Sequence, residues 1–225
     1  MIAENLQKIK QEIRESCALV SRSPEEVKLV AVTKSVGSEE AAELVDLGVY
    51  DLAENRVDKL LEKKAALGDN ANIKWHLIGN LQRRKVKNII NEIDYFHALE
   101  NEKLAAEINK RAEKVVKCFI EINISGEESK YGIKAENLVE FVALLANYEK
   151  IEVVGLMTMA PLESSEIEVR EIFSKLKKLQ EKIEQQEIPY APCHELSMGM
   201  SQDFQIAIES GTTFVRIGTA LFRKD

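Results

Sequence analysis

Cysteine, histidine and proline are scarce in this chain, and each scarcity removes a class of explanation. The three cysteines, Cys17, Cys118 and Cys193, are odd in number and widely spaced, so they form neither a disulfide framework nor a CxxC metal site. Cys118 lies in a strand-like run and reads as a small core residue. Of the three histidines, His97 ends one strand-like run and His194 begins another, and neither pairs with a second ligand at metal spacing. Four prolines and ten glycines mark turns, with no linker and no low-complexity segment. No stretch of about 18 apolar residues is present to span a membrane. Met1-Ile2-Ala3-Glu4-Asn5 lacks the basic segment and apolar run of a secretory signal. Positive charge is not in excess either: the formal net charge of -7 argues against nucleic acid or another polyanion as a general partner. The basic run Arg83-Arg84-Lys85-Val86-Lys87 therefore reads as a solvated helix face. These absences lead us to expect a cytoplasmic protein with one domain spanning residues 1–225.

What is present is alternation. With 45% hydrophobic residues, the 225-residue chain can bury a sizeable core. Leu6, Ile9, Ile13 and Cys17 form one stripe of an amphipathic helix over residues 3–19. Strand-like runs then occur at 28–33, 49–53, 73–78, 95–98, 116–122, 153–159, 194–198 and 213–217. Helical patterns fill most of the intervals, at 38–47, 56–67, 82–91, 101–114, 137–147, 166–186 and 202–210. Strands alternating with helices imply parallel strands with helices packed outside. Eight strands at this spacing, with no long insertion, predict an α/β fold closed into a (β/α)8 barrel with an extra N-terminal helix.

In such a barrel the residues ending each strand build the active face. Lys34 ends the apolar run Val27 to Thr33, and the expectation is a partly buried lysine whose desolvation favours the neutral, nucleophilic amine. Two later endings suggest an anion site. In Ser197-Met198-Gly199-Met200-Ser201-Gln202-Asp203, a strand stops at a glycine and a helix begins, with Ser201 as the expected N-cap and Asp203 in the first turn. Arg216-Ile217-Gly218-Thr219 adds a guanidinium, a small residue and a hydroxyl after the last strand, where barrels often bind phosphate. A phosphate clamp across the mouth from an amine suits pyridoxal 5'-phosphate, and it equally suits a phosphosugar aldolase using a lysine.

Six ordered segments narrow this. They are Val30 to Lys34, Ala53 to Arg56, Trp75 to Gln82, Gly155 to Met159, Leu196 to Asp203 and Val215 to Phe222. Together they resemble the pyridoxal phosphate homeostasis protein family, whose fold is similar to the barrel domain of alanine racemase. The resemblance covers nearly the whole chain. It implies a Schiff base between the cofactor and Lys34. It also implies phosphate contacts from the segments holding Ser197, Gly199, Ser201, Arg216, Gly218 and Thr219, with Asn55 near the ring and His76 and Met157 as lining residues. Lys130 stands where the family has a lysine thought to handle or transfer the cofactor. The chain departs from many relatives just after Lys34, where a Lys-Thr-Lys-Pro-like run is replaced by Lys34-Ser35-Val36-Gly37.

Two functions follow from different classes. One is a non-catalytic carrier that holds pyridoxal phosphate and buffers it or supplies it to apo-enzymes. The other is a small racemase-like enzyme. A two-base racemase needs a second base on the opposite face of the ring, which alanine racemase brings as a tyrosine from a separate β-domain, and with the sequence ending at Phe222-Arg223-Lys224-Asp225 no such domain is expected. Tyr50, Tyr95, Tyr131, Tyr148 and Tyr190 offer no obvious replacement, so a monomeric carrier is the expectation.

Overall fold

Strand and helix alternate along the whole chain in the computed structural model, which describes residues 1–126 and 131–224. The order is α1 (Ile2–Leu19), β1 (Lys28–Val32), α2 (Ser38–Asp46), β2 (Asp51–Glu54), α3 (Val57–Leu67), β3 (Lys74–Leu77), α4 (Val86–Ile89), β4 (Tyr95–Leu99) and α5 (Glu102–Arg111). It continues with β5 (Val116–Asn123), β6 (Ile133–Lys134), α6 (Leu138–Leu144), β7 (Ile151–Met157), α7 (Glu166–Glu184), β8 (Glu195–Ser197), α8 (Phe204–Glu209), β9 (Phe214–Ile217) and α9 (Thr219–Phe222).

Parallel pairing runs β4-β3-β2-β1-β9-β8-β7-β5, and β4 pairs with β5 to close the ring. All eight expected strands are therefore staves of one barrel. The two-residue β6 pairs beside the end of β5, Ile122 with Ile133 and Asn123 with Lys134. Neither β6 nor the single turn of α9 has a sequence periodicity long enough to be read in advance.

The helices form for local reasons that the sequence carries. Leu6, Ile9, Ile13 and Cys17 are all buried along one face of α1, which packs against α8 and α9. Asn5 ties this helix to the end of the chain, donating to the carbonyls of Leu221 (3.1 Å) and Arg223 (3.0 Å). Asn101 caps α5 by accepting from the Leu104 N–H, and Ser165 with Glu168 forms a capping box on α7. Cys118 is fully buried, as a core residue should be. Arg83, Arg84 and Lys87 are exposed, in keeping with a solvated face. Among the described residues no helix is long and apolar enough to cross a membrane.

Register sets which side chains fill the lumen. Paired residues in adjacent strands point to the same face. Ala53 pairs with His76, His76 with Tyr95, Val30 with Arg216, and Met157 with Ser197. Rings of His76, Tyr95, His97, Phe119 and Phe214 meet there, His76 stacked on Tyr95 at 4.6 Å and His97 on Phe119 at 4.4 Å. The barrel interior is thus a packed core, with its open end at the strand C-termini.

Candidate functional site

Lys34 lies in the turn that follows β1, at the C-terminal mouth of the barrel. It is exposed and makes no hydrogen bond or ion pair among the described residues, which corrects the expectation of a partly buried amine. The chain immediately beneath it is held tightly instead. Buried Lys63, reaching up from α3, donates to the Thr33 carbonyl at 2.7 Å and pairs with the buried Glu54 carboxylate. The Thr33 hydroxyl donates to the same Glu54 oxygen at 2.7 Å. The other Glu54 oxygen is buried without a partner. A buried charge pair of this kind costs desolvation and requires good geometry. Here it fixes the last residue before the lysine while leaving the lysine free.

Strand order brings the two anion loops beside Lys34 rather than across from it, because β9 pairs directly with β1. A Cβ on Gly218 would come within 3.1 Å of the Val32 carbonyl oxygen, so this loop lies against the strand that carries Lys34. The side-by-side arrangement suits pyridoxal phosphate, whose aldehyde and phosphate arm occupy neighbouring ring positions. Ser201 does not cap α8 as expected. Its hydroxyl oxygen accepts from the N–H groups of Gly218 (3.3 Å) and Ala220 (3.2 Å), tying the two loops together at the start of α9. Asp203 precedes the helix instead of entering its first turn, and its carboxylate accepts from the Met200 N–H at 2.6 Å. Gly199 has φ +94°, and a Cβ there would strike the Ala207 methyl at 2.5 Å; no other residue fits this turn. Thr219 is exposed at the rim. Glycines at 199 and 218 let these loops approach a ligand closely, and the hydroxyls of Ser201 and Thr219 are the donors left to a phosphate there.

Arg216 and Ser197 lie deeper than a phosphate contact would. Arg216 is 4% exposed, and its guanidinium donates to the Ser197 hydroxyl at 2.6 Å and to the Thr158 carbonyl at 3.2 Å. Ser197 Oγ in turn meets His97 Nδ1 at 2.8 Å, His97 Nε2 meets His76 Nδ1 at 2.9 Å, and His76 Nε2 meets Asp51 Oδ1 at 2.8 Å. Asp51 can only accept, so His76 Nε2–H donates to it, and burial favours neutral imidazoles, which sets the direction of the rest. Ser197 must then donate to His97, His97 to His76 and His76 to Asp51. Both imidazoles are neutral, with the proton on Nε2. Burial holds the His76 ring below its ordinary range. Burial, reinforced by the nearby His76 and Arg216, holds His97 well below it. Burial also pulls Arg216 down to about 10, against Asp203 and Glu121, which leaves it cationic at neutral pH.

Several sequence expectations change accordingly. Ser197 is fully buried with its hydroxyl bonded to Arg216 and His97, below the loops expected to hold the phosphate. His76 sits below the mouth with both ring nitrogens occupied, and supports the site from beneath rather than lining it. His97, set aside from sequence, is the link joining His76 to Ser197. Only alternation along β4 could have revealed that its ring points inward. Met157 is buried at the end of β7, level with Ser197. Asn55 is exposed after β2, and its carbonyl lies so close to Gly79 that a Cβ there would approach to 2.2 Å. Lys130 lies outside the described residues. Lys63, Glu54 and Asp51 were missed because they face inward from elements whose polar residues read as solvated.

The comparisons with known proteins agree with this geometry. Residues 4–224 match the alanine racemase N-terminal domain family. A pyridoxal phosphate homeostasis protein of Aquifex aeolicus is 40% identical over 222 residues, covering 97% of this chain and 96% of that protein. This chain belongs to the pyridoxal phosphate homeostasis protein family. A member from Escherichia coli is 31% identical over 226 residues, covering 98% of this chain and 95% of its own length. Among solved structures, PipY of Synechococcus elongatus with PLP bound is 29% identical with a TM-score of 0.85, covering 99% of this chain and all of PipY. An alanine racemase of Clostridium difficile superposes with a TM-score of 0.77 at 17% identity, which shows the shared barrel. This chain spans 57% of that racemase.

Proposed function

We propose that this homeostasis-family barrel binds pyridoxal 5'-phosphate through Lys34 and buffers or supplies it in the cytoplasm as a monomer, without turning over a substrate. One observation carries the reading: an exposed lysine amine, unpaired among the described residues, stands beside two loops whose glycines and hydroxyls suit a phosphate. When bound, the cofactor supplies an aldehyde that condenses reversibly with an amine. Every other role belongs to the protein. Gly199, Ser201, Gly218 and Thr219 hold the phosphate arm, and Asn55 offers a polar contact at the rim. Arg216 presents a fixed donor to the ring because Ser197, His97 and His76 orient it from behind. Thr33, Glu54 and Lys63 hold the base of Lys34 in place, so that the amine swings from a fixed point.

Support for a carrier comes from the tyrosines. Burial pushes the Tyr95 phenol up to about 12, so it is a poor proton acceptor, and its ring is packed on His76 within the lumen. Tyr148 is bonded to Glu102 at 3.0 Å on the outer surface. Tyr131 alone among these flanks the mouth, at 63% exposure. Recipients of the cofactor would be apo-enzymes that use it.

Absorbance spectroscopy tests the binding claim. The wild type incubated with the cofactor and dialysed should keep the visible band of a lysine-linked chromophore, and Lys34→Ala should lose it. A colourless wild type after the same treatment overturns the reading. Chiral analysis of several amino acids incubated with the loaded protein, with an alanine racemase as positive control, separates carrier from enzyme. Sustained turnover abolished by Lys34→Ala would establish the racemase alternative.

A further inference from the structure

A cleft of about 990 Å³ lined by described residues does not lie over Lys34. It opens on the opposite half of the mouth, between the ends of β5 and β7, and β5 is the strand farthest from β1 in either direction around the ring. Its lining combines Glu121 with Asn123, Thr158, Met159, Leu162 and Tyr131. Cavities of this size are typical of small-molecule sites.

Glu121 is the feature without an explanation in the cofactor site. It is 4% exposed, yet its Oε2 has no hydrogen-bond partner among the described residues. Burial and the nearby Glu100 push its carboxyl up to about 7, with Arg216 pulling the other way. Neither neighbour satisfies it. Arg216 is committed to Ser197 and Thr158, and Glu100 is held by the Gly132 N–H at 2.8 Å. A buried carboxylate oxygen left unpaired is costly, and the chemistry that relieves it is a donor bearing positive charge. The described residues of the lining have the same preference, with Glu163, Glu168 and Glu171 set against Lys175 as the one cation among them. Met159 (46% exposed), Tyr131 (63%) and Leu162 (80%) add an apolar rim able to cover a hydrocarbon stem.

We propose that the β5–β7 half of the mouth binds a primary alkylammonium, with its charge on the Glu121 carboxylate and its stem along Met159, Tyr131 and Leu162. A lysine side chain and a free alkylamine share this chemistry. An amino acid does not, because its carboxylate would meet the same acidic wall. The proposal stands apart from the cofactor reading, since it concerns the empty barrel and residues that do not hold the phosphate.

The test is a titration of cofactor-free, methyl-labelled protein, followed by NMR at the methyl groups of Met159, Met200 and Ile124. The probes are n-butylammonium and Nα-acetyl-lysine N-methylamide, with n-butanol and butanoate as isosteric controls. Saturable shifts with either amine, absent with both controls and weakened about tenfold or more in Glu121→Gln, sustain the proposal. No saturable shift with either amine, or equal affinity in the wild type and Glu121→Gln, overturns it. The glutamine variant keeps the shape of the side chain, and its methyl spectrum away from the cleft reports whether it is folded. Lys34→Ala should leave amine binding intact while abolishing the cofactor link, so the failure of one idea is visible separately from the failure of the other.

Discussion

The two sides of the mouth are anchored in opposite ways. Beneath Lys34 the support is ionic, a buried Lys63–Glu54 pair closed by Thr33, and the functional side chain above it is left loose. Beneath Arg216 the support is a neutral donor chain of Ser197, His97 and His76 ending on Asp51, and the functional side chain is itself pinned. The difference matches what each end would have to do. A reversible tether needs a fixed base and a mobile head, while a recognition group gains from losing its freedom before the ligand arrives. It also explains why the charged cluster is tolerated, since Lys63 grips the carbonyl of the residue next to the lysine.

The comparison breaks most visibly at Lys63. Lys63→Ala should destabilise the fold by about 3–5 kcal/mol, because it strands the Glu54 charge in the interior. Replacing both members, Lys63→Met with Glu54→Leu, should cost clearly less than the single change. Denaturant unfolding of the three proteins checks this; a double variant as unstable as the single one would remove the ion pair from the account.

Glu121 comes next. Its folded carboxyl titrates at about 7, above the ordinary unfolded value of about 4.3, so the folded state holds the extra proton between those limits. Stability is therefore lost as pH rises through this window, by about 4 kcal/mol once well above 7. Glu121→Gln should raise Tm by several degrees at about pH 8 and change it little at about pH 4, as read by thermal unfolding. A gain of equal size at both pH values would contradict the burial argument.

His97→Phe should keep the stacking on Phe119 but leave the Ser197 proton without its acceptor and His76 Nδ1 without its donor, at a cost of about 1–3 kcal/mol. Cofactor retention should fall in this variant, because Arg216 loses its backing. The subtlest test carries no substitution. Nitrogen-15 NMR of the two buried histidines should show neutral rings protonated on Nε2. Both rings are held below their ordinary range, so the contribution of their neutral state to stability is complete above the unfolded value of about 6.5 and fades as pH falls below it. A charged imidazolium at neutral pH would break the donor chain.

The barrel was legible in the sequence because eight apolar runs alternate with amphipathic helices such as that of Leu6, Ile9, Ile13 and Cys17. The short β6 and α9 were not, being too brief to show a period. Lys34 and the glycine loops were readable because strand endings in a barrel converge. The supporting residues were hidden for a physical reason: Asp51, Glu54, Lys63 and His97 are polar, and polarity reads as exposure until tertiary pairing turns it inward. Position along a strand also says little about depth, which is why the burial of Ser197 and Arg216 in the lumen was not legible.

The central claim is that the loose lysine on its fixed seat is the point of covalent attachment. Borohydride reduction of the cofactor-loaded protein, followed by peptide mass mapping, tests it most directly. The account predicts a single pyridoxyl modification on Lys34. A modification confined to another lysine, or a sugar adduct at Lys34 in its place, would contradict it.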